Sequence, residues 1–405
     1  MKRTDKKRLS RRRALAASTV LLGLTLDRSK SNALGESHRF SKVSRSRARP
    51  KLVSSFQQEI ADVLLFRGDV HRTGAMPGPA LDAERVAPVW EFMTGDEVWS
   101  SPVISEGVVF IGSDDHRLYA IDAADGAVRW NFETGASIFS TPAVSGDLVV
   151  VGSDDGRVYA VERASGNLAW QFEAGAGVWS SAAIDAGVAY IGCENSKLYA
   201  LDLLAGEPIW TADTEDRIRS SPTVAGGAVF VGNNDGHLYV VAAETGEVVA
   251  KIPTDGSVRS SAALADDTLV FGSLDGRVFA LSAFNGEVLW IAETNGPVES
   301  SPAIADGVVF FGSRDGTLAA RTLHDGTELW SFPIGDEVRS SPAVCGGIVT
   351  VGCMDGRVIA FDATTGIERW SFHTGGRVYS SPAVSGGMVF VGSTDGRVLA
   401  LGAEA

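Results

Sequence analysis

The chain has 405 residues, of which 44% are hydrophobic, 21% are charged and 46 are glycine. That balance excludes wholesale disorder and a bundle of membrane helices, and so much glycine without a period of three points to an all-β chain rich in tight turns. The net charge of −14 divides unevenly: residues 1–51 hold 16 Lys and Arg against 3 Asp and Glu, and the remaining 354 hold 20 against 47. A body this acidic repels a phosphate backbone, so no nucleic-acid partner is expected.

In chain order, a basic stretch, Met1 to Arg13, is followed by the apolar run Ala14 to Leu26. This is the order of an export signal, and the run is too short to span a bilayer. Ser10-Arg11-Arg12-Arg13-Ala14-Leu15 resembles a twin-arginine signal, with Ala14 where the pattern favours a larger apolar residue, and Ser31-Asn32-Ala33 offers small residues for cleavage. Residues 1–33 are therefore read as an export signal to the periplasm or the extracellular space; a disordered basic tail or a transit peptide is the alternative. No cysteine stands here to carry a lipid anchor. Residues 34–65 are read as a linker, with Phe56, Ile60 and Val63 spaced for a short helix.

Residues 66–405 are read as one domain, built on a repeat with a step of 40. Ser100-Ser101-Pro102 returns as Ser140-Thr141-Pro142, Ser180-Ser181-Ala182, Ser220-Ser221-Pro222, Ser260-Ser261-Ala262, Ser300-Ser301-Pro302, Ser340-Ser341-Pro342 and Ser380-Ser381-Pro382. Glycine from Gly112 to Gly392 and tryptophan from Trp90 to Trp370 keep the same step, except that Ala250 stands where tryptophan is due. Each unit reads as four short strands, as in Val98 to Ile104, Val108 to Gly112, Arg117 to Asp122 and Val128 to Phe132, with Asp-Gly pairs such as Asp155-Gly156 supplying the turns. Eight such units predict an eight-bladed β-propeller. The last unit stops after its third strand, and Val89-Trp90-Glu91-Phe92 precedes the first unit as a fourth strand without a blade. The N-terminal strand is thus expected to complete the last blade, which removes the free sheet edges.

The segments Ala120 to Trp130 and Ala360 to Trp370 resemble the tryptophan-docking motif of the pyrroloquinoline quinone (PQQ) repeat family, as do those ending at Trp170, Trp210, Trp290 and Trp330. Phe66-Arg67-Gly68-Asp69 with Arg72-Thr73-Gly74 looks like the opening of bacterial PQQ-like propellers. The resemblance implies that each tryptophan packs against the next blade. It also implies two functional classes, quinoprotein dehydrogenases and non-catalytic platforms similar to an outer-membrane assembly lipoprotein or to receptor-linked sensor propellers.

One aliphatic residue recurs in every unit, from Val98 to Val378, and reads as packing between blades. The next place varies as Trp99, Phe139, Trp179, Arg219, Arg259, Glu299, Arg339 and Tyr379. These eight residues are predicted to ring one mouth of the central channel, aromatic on one half and charged on the other, with Arg217, Glu337 and Arg377 extending the charged half. Arginine forks facing aromatic surfaces suit an inserted loop of a protein partner or a small anionic ligand. Alternatively they are ordinary loop-end residues, the arginines being paired with acids such as Asp216 or Glu299.

For the enzymatic class, the resemblance implies PQQ stacked between a tryptophan and a disulfide of adjacent cysteines, with calcium and a catalytic aspartate beside it. Trp99 or Trp179 offers a stacking face, but Cys193, Cys345 and Cys353 are isolated and every repeat lacks the long insertions of the enzymes. The repeated aspartates Asp114-Asp115, Asp154-Asp155 and Asp315 suggest either calcium ligands or turns, and their Asp-Gly context favours turns; His71, His116, His237, His324 and His373 show no metal-ligand spacing. The reading is an exported, monomeric, non-catalytic binding or scaffold platform without cofactor or metal, with a PQQ- and calcium-dependent alcohol or sugar dehydrogenase as the alternative.

Overall fold

A computed structural model describes residues 61–404. The export signal, residues 34–60 and the expected helical positions Phe56 and Ile60 lie outside the described residues. Val63 does not sit in a helical turn; it forms an antiparallel bridge to Ile104.

Eight four-stranded antiparallel sheets form the blades of a β-propeller, each a meander, and no helix occurs among the described residues. In the first blade the strands are Val103–Ser105, Val108–Gly112, Arg117–Asp122 and Val128–Glu133, from the axis outward. The last blade takes its outermost strand, Val86–Met93, from the beginning of the repeat array, paired antiparallel with Arg397–Ala403. The expected seam is therefore present.

The innermost strand is shorter than the sequence suggests: Val103–Ser105 rather than Val98 to Ile104. Residues 98–102 are bonded sideways to their neighbours instead. The Oγ of the first serine in each triplet, Ser100 to Ser380, accepts the backbone N–H of the glycine twelve residues on, at 2.7–3.2 Å. The second residue donates its backbone N–H to the hydroxyl of its counterpart in the next blade, from Thr141 to Ser181 and onward to Ser381 and Ser101, at 2.8–3.0 Å. In six of the eight blades the following residue is a proline, which has no N–H to offer a ladder and leaves the chain free for this sideways bonding.

The repeated glycine permits the close approach of the aliphatic residue. A Cβ on Gly112 would stand 2.2 Å from Ile138 Cγ2, and one on Gly392 would stand 2.2 Å from Val98 Cγ1 across the seam. On the outer side, the indole N–H of each docking tryptophan donates to a backbone carbonyl at 2.8–2.9 Å, in the next blade as Trp130 does to Arg163 and Trp170 to Leu203, or, for Trp370, to Leu81 ahead of the N-terminal strand.

Residues 61–76 wind around the inner edges of the blades. The backbone N–H groups of Ile104, Val144, Val224, Leu264, Ile304 and Val344 donate to the carbonyls of Val63, Leu64, Val70, His71, Thr73 and Gly74. Eight short innermost strands would otherwise present unpaired donors to the channel.

Candidate channel-mouth site

The aliphatic residue locked against glycine is fully buried in every blade, from Val98 to Val378. The residue after it is thereby turned toward the axis. All eight predicted ring residues, Trp99, Phe139, Trp179, Arg219, Arg259, Glu299, Arg339 and Tyr379, line one cavity of about 480 Å³. The second-serine ring, Phe66 and Asp114 line it as well.

The aromatic half is continuous. Tyr379 stacks on Trp99 with centroids 3.8 Å apart, Trp99 meets Phe139 edge-on at 6.1 Å, and Phe139 meets Trp179 at 4.6 Å. The indole N–H groups of Trp99 and Trp179 donate to Glu97 and Asp154, both at 2.7 Å, which fixes the ring planes.

The charged half is an internally paired network. The Arg219 fork donates to both oxygens of Glu194 at 2.8 and 3.2 Å and lies over Trp179, 4.1 Å from the ring centroid. Glu299 stands between Arg259 at 3.5 Å and Arg339 at 3.8 Å, and Arg339 also bonds Glu337 at 2.6 Å. Asp216, the other acid suggested by the sequence, accepts the backbone N–H of Arg217 instead. Arg217 adds to the Glu194 pair at 3.5 Å. Arg377 borders a second cavity of about 380 Å³ on the outer side of the Trp99–Tyr379 stack, beside Glu97 and Asp395.

Asp114 was not singled out for the mouth by the sequence. Its Oδ1 is buried without a hydrogen-bond partner, and burial together with Asp96, Glu97, Asp115 and Asp154 pushes its pKa up to about 7. A carboxyl poised there exchanges its proton near neutral pH.

The inner end of the cavity is held by the N-terminal segment. Arg72, fully buried, donates to the carbonyls of Pro222, Phe66, Ser181 and Ala182 at 2.7–3.2 Å. Arg67 donates to the carbonyls of Arg72, Ser301 and Pro302. Burial draws both guanidinium pKa values down to about 9, which leaves the groups charged at neutral pH. Neither contact carries the 40-residue step, so periodicity gave no sign of it.

The repeated aspartates build turns. Asp155 Oδ1 accepts the backbone N–H of Arg157 at 3.0 Å, and Asp315 accepts that of Thr317 at 3.0 Å. The three cysteines are buried and unbridged, and burial pushes the Cys353 thiol up to about 12. Among the described residues no group of three or more His, Cys, Asp or Glu converges to hold a metal ion. Beside Trp99 and Trp179 the described residues include neither the adjacent cysteines nor the cluster of oxygen ligands that the family resemblance implies for PQQ with calcium.

Among known proteins, the family model described as "Outer membrane protein assembly factor BamB" matches residues 79–203, 173–249, 235–337 and 314–405. No curated protein matches the chain. Among solved structures, BamB from Moraxella catarrhalis is similar at a TM-score of 0.69 and 18% identity, over 78% of this chain and 100% of that one. The computationally designed Ika8 protein is similar at 0.69 and 18%, over 80% and 99%. Quinohemoprotein alcohol dehydrogenase from Comamonas testosteroni is similar at 0.74 and 14%, over 97% and 85%. At these identities the structures share the fold and nothing finer. The family match over most of the chain, the eight closed blades and the recurring tryptophan dock together place this chain in the PQQ-like β-propeller repeat family that includes BamB.

Proposed function

We propose that the protein is an exported, non-catalytic platform whose channel mouth receives a loop of a protein partner. The observation that carries this reading is the half-aromatic, half-charged lining of the 480 Å³ cavity. Aromatic and arginine side chains at the centre of a concave rigid surface are the usual anchors of protein binding. Arg219, Arg259 and Arg339 already hold carboxylates at the mouth. A partner loop carrying both signs of charge exchanges with that network more readily than a lone anion, so a small anionic ligand is the second choice. The family description supports an envelope location; among the described residues, no helix is long and apolar enough to cross a membrane.

The test is comparative capture from envelope extracts with four immobilised proteins: wild type, Trp99→Ala, Arg259→Ala and a control, Ile367→Ala, at an exposed position outside the mouth. A partner retained by wild type and control, and lost at least tenfold by both mouth variants with unchanged melting temperature, supports the reading. Equal capture by all four sinks it. Calorimetric titration with PQQ and calcium addresses the dehydrogenase alternative: one-to-one binding abolished in Trp99→Ala would replace the platform reading.

A further inference from the structure

The repeat has one vacancy. In the fourth blade the outermost strand, Val248–Pro253, carries Ala250 opposite Val240, the same register that sets Trp210 opposite Ala200 in the third. The strand has not slipped; only the indole is missing. Elsewhere an indole has two kinds of partner. One, in four of the other seven blades, is an aromatic residue of its own blade, as in Phe110–Trp130 at 5.6 Å, Tyr190–Trp210 at 5.8 Å and Phe310–Trp330 at 5.9 Å. The other is the carbonyl of a turn residue in the next blade, Arg163, Ala243 and Ala363 respectively. In the fourth blade these partners are Phe230 and Ala283. Both line a cavity of about 350 Å³ between the fourth and fifth blades.

The inner wall of that cavity is apolar. Ala228, Phe230, Leu264 and Ala283 share one hydrophobic cluster with Ala250, and Phe284 borders the same space. The space is ample for a ring, since an apolar cavity of about 150 Å³ takes benzene. Its rim is acidic: Asp266 and Asp267, both exposed, line it beside His71. They form the hairpin turn with φ of +47° and +61°, where the fourth, seventh and eighth blades use paired glycines, Gly226-Gly227, Gly346-Gly347 and Gly386-Gly387. Two side chains in a conformation that favours glycine place two carboxylates at the opening.

We propose that this cavity, which shares Phe230 and Ala283 with the vacated indole position, is a binding site for a small aromatic amine, its planar ring lying against Phe230 and its cationic amine meeting Asp266 and Asp267. A ring N–H, where the ligand has one, reaches the carbonyl of Ala283. The site is separate from the channel mouth and does not depend on the function proposed there.

Tryptamine, neutral indole and indole-3-acetate are the probes, titrated calorimetrically into the full chain. Expected is one-to-one binding in the order tryptamine, indole, indole-3-acetate, with at least tenfold between the first and the last. Ala250→Trp fills the gap from its own chain and should weaken tryptamine at least tenfold while raising the melting temperature of the free protein. Should that variant fail to fold, Ala283→Leu narrows the same cavity with a residue found at the equivalent Leu203 and Leu323. Asp266→Asn with Asp267→Asn should abolish the preference for tryptamine and leave indole binding intact. Tryptamine binding unchanged in Ala250→Trp or in Ala283→Leu, binding lost in Trp99→Ala instead, or no binding at millimolar tryptamine would each overturn the proposal.

Discussion

The side chains that matter most at the mouth are those whose surroundings set their charge. Asp114 combines burial with four neighbouring carboxylates, and its folded pKa of about 7 lies above the ordinary aspartate range. Its proton is therefore held more tightly in the folded chain than in the unfolded one. Between the unfolded pKa and pH 7 the folded state binds more protons, so this residue's contribution to stability declines as pH rises through that window. Asp114→Asn should accordingly raise the melting temperature at pH 8 and leave it unchanged near pH 4. Because the carboxyl is only half-buried, the gain is on the order of 1 kcal/mol. An equal gain at both pH values would show that packing rather than ionisation is responsible. The ring itself was legible in the sequence, because its members directly follow a position that is valine or isoleucine in every unit. Their partners were less so: Glu194 shares its place in the repeat with Asp114, Asp154 and Asn234, and Glu337 shares its place with Glu97, yet only coordinates bring that place beside the ring, as Glu194 to Arg219.

At the scale of strands and turns, the 40-residue step made most of the architecture legible, since composition, turn chemistry and periodicity agree in every unit. It misjudged the innermost strand, where residues 98–102 look extended yet bond to neighbouring blades. The turn between the second and third strands also shows how local chemistry is spent. Six blades place glycine at its positive-φ position, from Gly156 at +86° to Gly396 at +83°, while the first and third place His116 at +69° and Ser196 at +67°. A side chain there strains the backbone, and His116 is exposed, so nothing is lost from the core by removing it. His116→Gly should stabilise the protein by about 0.5–1 kcal/mol, the relief of strain less the added freedom of glycine in the unfolded chain. Denaturant titration reads this directly; a destabilised variant would mean that the imidazole makes a compensating contact.

For the whole molecule, the propeller depends on a segment that lies outside its repeats. Residues 61–76 cap the inner strand edges, and Arg72 ties four carbonyls from the third blade, the fourth blade and its own segment. Arg72→Ala would strand those buried acceptors and should cost more than about 3 kcal/mol, since hydrogen bonds to a charged donor contribute about 1.5–3 kcal/mol each. Arg72→Lys should recover little, because an ammonium cannot span the same fork. A denaturation midpoint unchanged in Arg72→Ala would show that the blades hold the channel without it.

The seam has a consequence in time. Seven blades are built from strands adjacent in sequence, but Val86–Met93 must find Arg397–Ala403 across the entire array. Local hairpins form early, whereas pairing of such high contact order is slow and comes after them. Until it forms, the nascent disc is an open arc with two bare edges, the state in which near-identical repeats from another chain offer a wrong partner. Closure is thus the step at which the ring commits to its own count of eight, and refolding should be fastest to fail there as protein concentration rises.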